Sequence, residues 1–176
     1  VMQPVWKHTL AVELPDARSL VVEPGTAAQS DGFISTRYAF GREGKGDRIP
    51  AVLFTPKKAG KSTVVVLSHP AGKSTYLNTN GAPTGVAREL IGRGLSVLLP
   101  DVFLTGELAE PESAKARKYT EKYFTTYNRT DVQERVQDLI TACAFAKTKG
   151  RRVILCGTGR AGLWALLAAP TADAVV

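Results

Sequence analysis

The sequence has few of the residues that build metal sites and disulfide frameworks: its 176 residues include two cysteines and two histidines. Cys143 falls in a predicted helix and Cys156 at the end of a predicted strand. Both read as small buried residues, and two such cysteines make neither a disulfide framework nor a zinc site. No metal and no cofactor is therefore expected. No apolar run approaches the roughly 20 residues of a membrane span, so no membrane partner is expected either. The N-terminal stretch VMQPVWKHTLAVEL has no signal-peptide core. It reads as the start of a cytoplasmic protein or of a chain recorded without its targeting segment, and Val1 in place of methionine favours a trimmed chain.

The formal charge of +7 raises the question of nucleic acid. The basic residues are scattered through loops, in Lys57, Lys58 and Lys61, in Lys115, Arg117, Lys118 and Lys122, and in Lys147, Lys149, Arg151 and Arg152. Neither a recognition helix nor an aromatic-plus-basic motif accompanies them, so they read as a solvated surface and nucleic acid is excluded. A hydrophobic content of 44% and a length of 176 residues suit one domain with a real core.

Residues 1–32 are weakly patterned, with Pro4, Pro15, Pro24 and Gly25 breaking any long element, and read as an N-terminal extension or linker packed on the domain. The domain then runs over 33–176. Phe33–Phe40 and Ile49–Phe54 are strand-like around the polar loop GREGKGDR, which predicts a hairpin. Lys57–Ser62 is a basic turn. Thr63–Leu67 (TVVVL) and Leu95–Leu99 (LSVLL) are continuous apolar runs, the mark of strands buried on both faces of a parallel sheet. A helix is predicted from Pro83 to Ile91, with Pro83 in the first turn. The segment Thr105–Asn128 is long, polar and partly helical at most. Thr130-Asp131-Val132-Gln133 is a capping box that opens the best helix, carried by Val132, Val136, Leu139, Ile140 and Cys143 and ended by Gly150. Strand–helix alternation after a hairpin predicts an α/β fold with a largely parallel sheet.

The most informative stretch is Arg151–Ala169, RRVILCGTGRAGLWALLAA. It reads as a strand over Val153–Leu155, a glycine-dense turn over Gly157–Gly162 and a helix over Leu163–Ala169. A strand, a sharp turn and a helix are the setting of the nucleophile elbow G-x-S-x-G, in which the residues two before and two after the nucleophile must be small. Placing the tip at Gly159 puts Gly157 and Ala161 at those positions. Placing it at Thr158 would put bulky Arg160 there instead. The tip is then glycine, where Ser, Cys or Asp should stand. The same hexapeptide is also a literal G-x-G-x-x-G through Gly157, Gly159 and Gly162, which leaves a dinucleotide-binding Rossmann-type turn as an alternative. That reading needs an acidic residue about 20 positions on, beyond Val176. A purely structural strand–helix turn is the third reading.

In order and spacing, IPAVLFTP, VVVLSHPAGK, ARELIGRGLSVLLPDVF, NRTDVQERVQDLITACAFAK and VILCGTGRAGLWALLAA resemble an α/β-hydrolase of the acetyl-xylan-esterase or dienelactone-hydrolase kind. The resemblance covers roughly Phe33 to Val176. It implies a three-layer α/β-hydrolase-like fold, with a mostly parallel sheet, an N-terminal hairpin and the C-terminal part of the fold missing. It also implies carboxylic-ester hydrolase lineage, with one oxyanion-hole N–H from the loop Ser68-His69-Pro70-Ala71-Gly72 and one from Arg160. Pro70 has no N–H, so the loop donor is expected at Ala71 or Gly72. His69 matches the strand-end histidine that shapes this loop.

Departures from the family pattern are large. Gly159 has no nucleophilic side chain, and after it the chain offers Asp173 and no histidine, whereas the triad order is Ser…Asp/Glu…His. No catalytic residue is therefore assigned, and the expectation is a chain inactive by a serine mechanism. His69, Ala71, Gly72, Gly159 and Arg160 remain as a cleft for a small carboxylate or a carbohydrate, in a pseudoenzyme, ligand-binding or structural module. The rest of a larger polypeptide is the other expected partner. One further motif, Ala71-Gly72-Lys73-Ser74-Thr75, mimics the end of a phosphate loop, with Asp101 as its acidic partner. Leu67 stands where its first glycine should be, and no helix is predicted after Thr75, so the phosphate reading is disfavoured.

Overall fold

The computed structural model describes residues 2–57, 63–109, 117 and 119–176. Seven strands form one sheet in the order β1-β2-β3-β5-β4-β6-β7. They are β1 (Leu20–Gln29), β2 (Phe33–Arg42), β3 (Ile49–Pro56), β4 (Thr63–Ser68), β5 (Ser96–Pro100), β6 (Arg152–Gly157) and β7 (Ala174–Val175). The three apolar runs lie together at its centre. β4 pairs in parallel with β5 through Val65↔Val97 and with β6 through Val64↔Val153. Because side chains alternate between faces, each central strand feeds two cores. Val64, Val66, Leu98, Val153 and Leu155 face the helices Asp131–Lys149 and Ala161–Ala168. Val97, Leu99, Leu67, Val52 and Phe54 face Tyr76, Ala87 and Ile91 on the other side. Three layers result, as expected for this class.

Two expectations need correction. The sheet is mixed: β1/β2, β2/β3 and β3/β5 are antiparallel, and β5/β4, β4/β6 and β6/β7 are parallel. The hairpin is longer and more central to the sheet than its sequence pattern implies. The segment before Phe33 is also more than an extension, because Leu20–Gln29 is the sheet's edge strand. Pro24-Gly25, which reads as a breaker, sits in a bulge where the register shifts between Pro24 and Ala27. Ahead of it the Met2–Leu10 helix docks Trp6, whose Nε1 donates to the Leu167 carbonyl at 2.7 Å. Glu13 is held through both backbone groups by buried Gln137, at 2.7 Å and 3.0 Å.

The helices follow their caps. Thr130 and Gln133 form the reciprocal capping box, with Gln133 Oε1 accepting from the Thr130 amide at 2.8 Å, and Gly150 closes the helix. The helix predicted from Pro83 begins at Gly85 with Thr84 as its cap, because Pro83 is taken up in a bridge to Leu77. In the 105–128 segment the described residues hold a turn at Gly106–Leu108 and one at Phe124–Tyr127. Part of the expected basic turn (58–62), Lys115 and Lys118 lie outside the described residues. Among the described residues no helix is long and apolar enough to cross a membrane.

Chain order sets the site. From β4 the chain crosses to β5 on one side, then returns past β4 to β6 on the other. The crevice outside the carboxyl end of β4 is thus the switch point where open α/β sheets bind ligands. Ser68, His69 and Pro70 occupy it, and the turn after β6 lies beside it.

Candidate functional site

The turn after β6 has the steric signature of an elbow. Its backbone closes with Ala161 N donating to Thr158 O and Gly162 N to Gly159 O, each at 3.1 Å, while Thr158 N reaches across to Ser68 O at 3.1 Å. These bonds leave the Arg160 amide at the start of the Ala161–Ala168 helix without a role in the turn. A Cβ on Gly157 would strike the backbone of Ala161, so glycine is required there. Gly159 has φ +57°, the left-handed conformation of an elbow tip. A Cβ on Gly159 would meet only Pro70 Cγ, at 4.0 Å. The tip therefore has room for a nucleophilic side chain and carries none. The helix begins at Ala161, two residues earlier than expected, because Arg160 is already helical.

The loop after β4 is closed on itself. Ala71 N donates to His69 Nδ1 at 3.0 Å, Gly72 N donates to His69 O at 2.9 Å, and Thr75 Oγ1 lies 3.0 Å from the same ring nitrogen. Both loop amides expected as alternatives for one oxyanion donor, Ala71 and Gly72, are thus engaged within the loop. With Nδ1 accepting from Ala71, His69 shapes the loop. Its ring stands edge-on to Tyr76, with centroids 5.9 Å apart. Tyr76 in turn joins loop to elbow through Thr158 Oγ1 at 2.7 Å, and Thr158 Oγ1 donates to Ser68 O at 3.3 Å. Burial pushes the Tyr76 hydroxyl up, against the lowering effect of Thr158, so it offers no base. Burial likewise raises the Cys156 thiol, away from the thiolate a nucleophile needs.

Beneath the loop lies a pairing that sequence reasoning missed. Asp101, fully buried, accepts from Lys73 N at 2.6 Å and from Glu107 N at 2.9 Å, and Lys73 Nζ sits 2.5 Å from its second oxygen. Glu107 Oε1 adds a second contact to Lys73 Nζ at 2.5 Å. Gly72 has φ +84°, and a Cβ there would come within 2.5 Å of Asp101 Oδ1. The phosphate-loop reading fails for this reason, since the lysine turns inward to a carboxylate. The available signal was Gly72-Lys73 after one buried strand and Asp101 after the next.

A cleft of about 920 Å³ includes Ala71 among its lining residues but not His69, Gly72, Gly159 or Arg160. Arg160 is exposed and has no ion pair among the described residues. No group of three or more His, Cys, Asp and Glu able to hold a metal occurs among the described residues.

Residues 49–176 match the model of the dienelactone hydrolase family, which sets aside the dinucleotide reading of Gly157, Gly159 and Gly162. Among solved structures, a Bacteroides fragilis protein assigned as an acetyl xylan esterase is similar at a TM-score of 0.69 and 12% identity, over 98% of this chain and 51% of that one. Acetyl Xylan Esterase 1 of Thermoanaerobacterium gives a TM-score of 0.65 and 16% identity, over 98% and 56%. A dienelactone hydrolase of Anabaena variabilis gives 0.52 and 25%, over 80% and 62%. The chain thus spans roughly half to three-fifths of the length of these relatives. No curated protein sequence matches it.

Proposed function

The chain belongs to the dienelactone hydrolase family, and on that premise we propose that it is a carbohydrate-esterase-type domain that has kept the elbow and given up the nucleophile. It acts as a ligand-binding or structural module and does not hydrolyse esters by a serine mechanism. The observation that carries this reading is Gly159, which stands at the tip at φ +57° with open space above it and no side chain to fill that space. A nucleophile needs an oxygen or sulfur with a base in hydrogen-bond reach. Thr158 Oγ1 does not substitute, because it is bonded to Tyr76 and to Ser68 O. The closed His69–Gly72 loop supports the same reading, because its amides are already satisfied internally.

The ligands that suit this reading are a small carboxylate or a carbohydrate. A longer polypeptide that hydrolyses esters would draw its nucleophile from a second, intact hydrolase unit. Turnover of an activated acetate ester tests the proposal. The expected rate is that of buffer, and saturable turnover above it that survives repurification would overturn the reading.

A further inference from the structure

We propose that the 920 Å³ cleft on the β1–β3 side of the Pro70-Ala71 turn binds a monoanionic saccharide, a hexuronate, with Arg37 holding its carboxylate. Arg37 lies on β2, opposite Val52 of β3, and its exposed guanidinium makes no ion pair or hydrogen bond among the described residues. It stands where two depressions meet. The cleft and a neighbouring one of about 500 Å³ share Arg37, Ser74, Leu77, Asn80 and Gly81. The larger volume falls in the range of roughly 300–1,000 Å³ typical of small-molecule sites.

The chemistry of the walls selects the ligand. A lone guanidinium is a planar fork that matches a carboxylate through two parallel hydrogen bonds. The carboxylates across the cleft do not neutralise it: both oxygens of Asp101 are taken, and Glu107 is bound to Lys73 Nζ. The Glu107 side chain is 65% exposed, so a second negative charge on the ligand would be repelled there. That disfavours a phosphate dianion and favours a single carboxylate. The side chains of Thr26, Ser74 and Asn80 also make no hydrogen bond among the described residues, and they offer neutral donors and acceptors suited to ring hydroxyls. Val52 and Leu77 supply apolar surface for a pyranose face. Pro70 lines the cleft, and its Cγ would lie 4.0 Å from a Cβ placed on Gly159, so the bound sugar is held beside the elbow.

The site deepens the ligand-binding reading and does not depend on the elbow being silent, because binding and ester turnover are separate measurements. Titration calorimetry on the whole chain would compare galacturonate, neutral galactose and inorganic phosphate, with Arg37→Ala, Arg37→Lys and Arg160→Ala as variants. A charge-assisted pair is worth about 1.5–3 kcal/mol, so Arg37→Ala should weaken galacturonate about tenfold or more. Arg37→Lys should recover only part of the loss, and Arg160→Ala should bind as the parent does. Arg37 is exposed, and unchanged circular dichroism confirms that its variants fold. No binding of galacturonate, equal affinity for galactose or phosphate, or indifference to Arg37→Ala would each overturn the assignment.

Discussion

Lys73 and Asp101, 28 positions apart in the chain, meet under Gly72 with 2.5 Å between Nζ and Oδ2. This buried pair joins the loop after β4 to the loop after β5 and sets the floor on which the His69–Gly72 turn rests. Such a pair is weak evidence for net stability, yet removing one partner strands the other charge without water.

Lys73→Met should therefore lower unfolding stability by about 3–5 kcal/mol. Glu107→Gln removes the exposed partner, and at a surface site the change should be about 1 kcal/mol or less. Urea unfolding of both variants checks this. Equal losses would mean that the pair is not the anchor.

Asp138 carries a pH dependence of unusual sign. Burial pushes its carboxyl up to about 7, with further raising by Asp47 and Glu134, against the Phe103 amide at 2.7 Å and Arg42. The folded state thus holds a proton that the unfolded chain releases near the ordinary carboxylate value of about 4. Stability from this group is present at low pH and is lost as pH rises from about 4 towards 7. Asp138→Asn keeps an oxygen for the Phe103 amide and cannot ionise. Its Tm relative to the parent should climb between pH 5 and pH 8, and parallel Tm curves would contradict the assignment.

Gly159→Ser tests the vacant tip. The side chain has room, but φ +57° carries about 1–2 kcal/mol of strain for a residue with a Cβ. The variant should fold and lose about that much stability, which thermal unfolding against the parent checks. Gly157→Ala, by contrast, places a methyl into the Ala161 backbone and should be the more damaging change. A Gly157→Ala variant as stable as the parent would refute the elbow register.

The parts of this molecule set by short-range patterns were legible in the sequence. TVVVL and LSVLL announced buried strands, Thr130 and Gln133 announced a capped helix, and the elbow register followed from which positions exclude a Cβ. What escaped depended on contacts between distant residues or on local backbone geometry. Pro24-Gly25 read as a break until the bulge showed how an edge strand absorbs it. Lys73 and Asp101 each looked like half of a phosphate site, since nothing in the spacing says that a lysine turns inward. The Ala71 and Gly72 amides looked available because only the folded loop reveals that His69 satisfies them. Asp138 falls in a helical pattern that gives no hint of its burial, and its carboxyl accepts from the distant Phe103 amide.

On the proposed reading the elbow tip holds no nucleophile, and no neighbouring hydroxyl or thiol replaces it. Intact-mass spectrometry after exposure to excess fluorophosphonate tests it most directly. The predicted result is the unmodified mass of the chain, with an active serine esterase labelled fully in the same mixture. A stoichiometric phosphonyl adduct on any residue of the native chain, absent after denaturation, would contradict it.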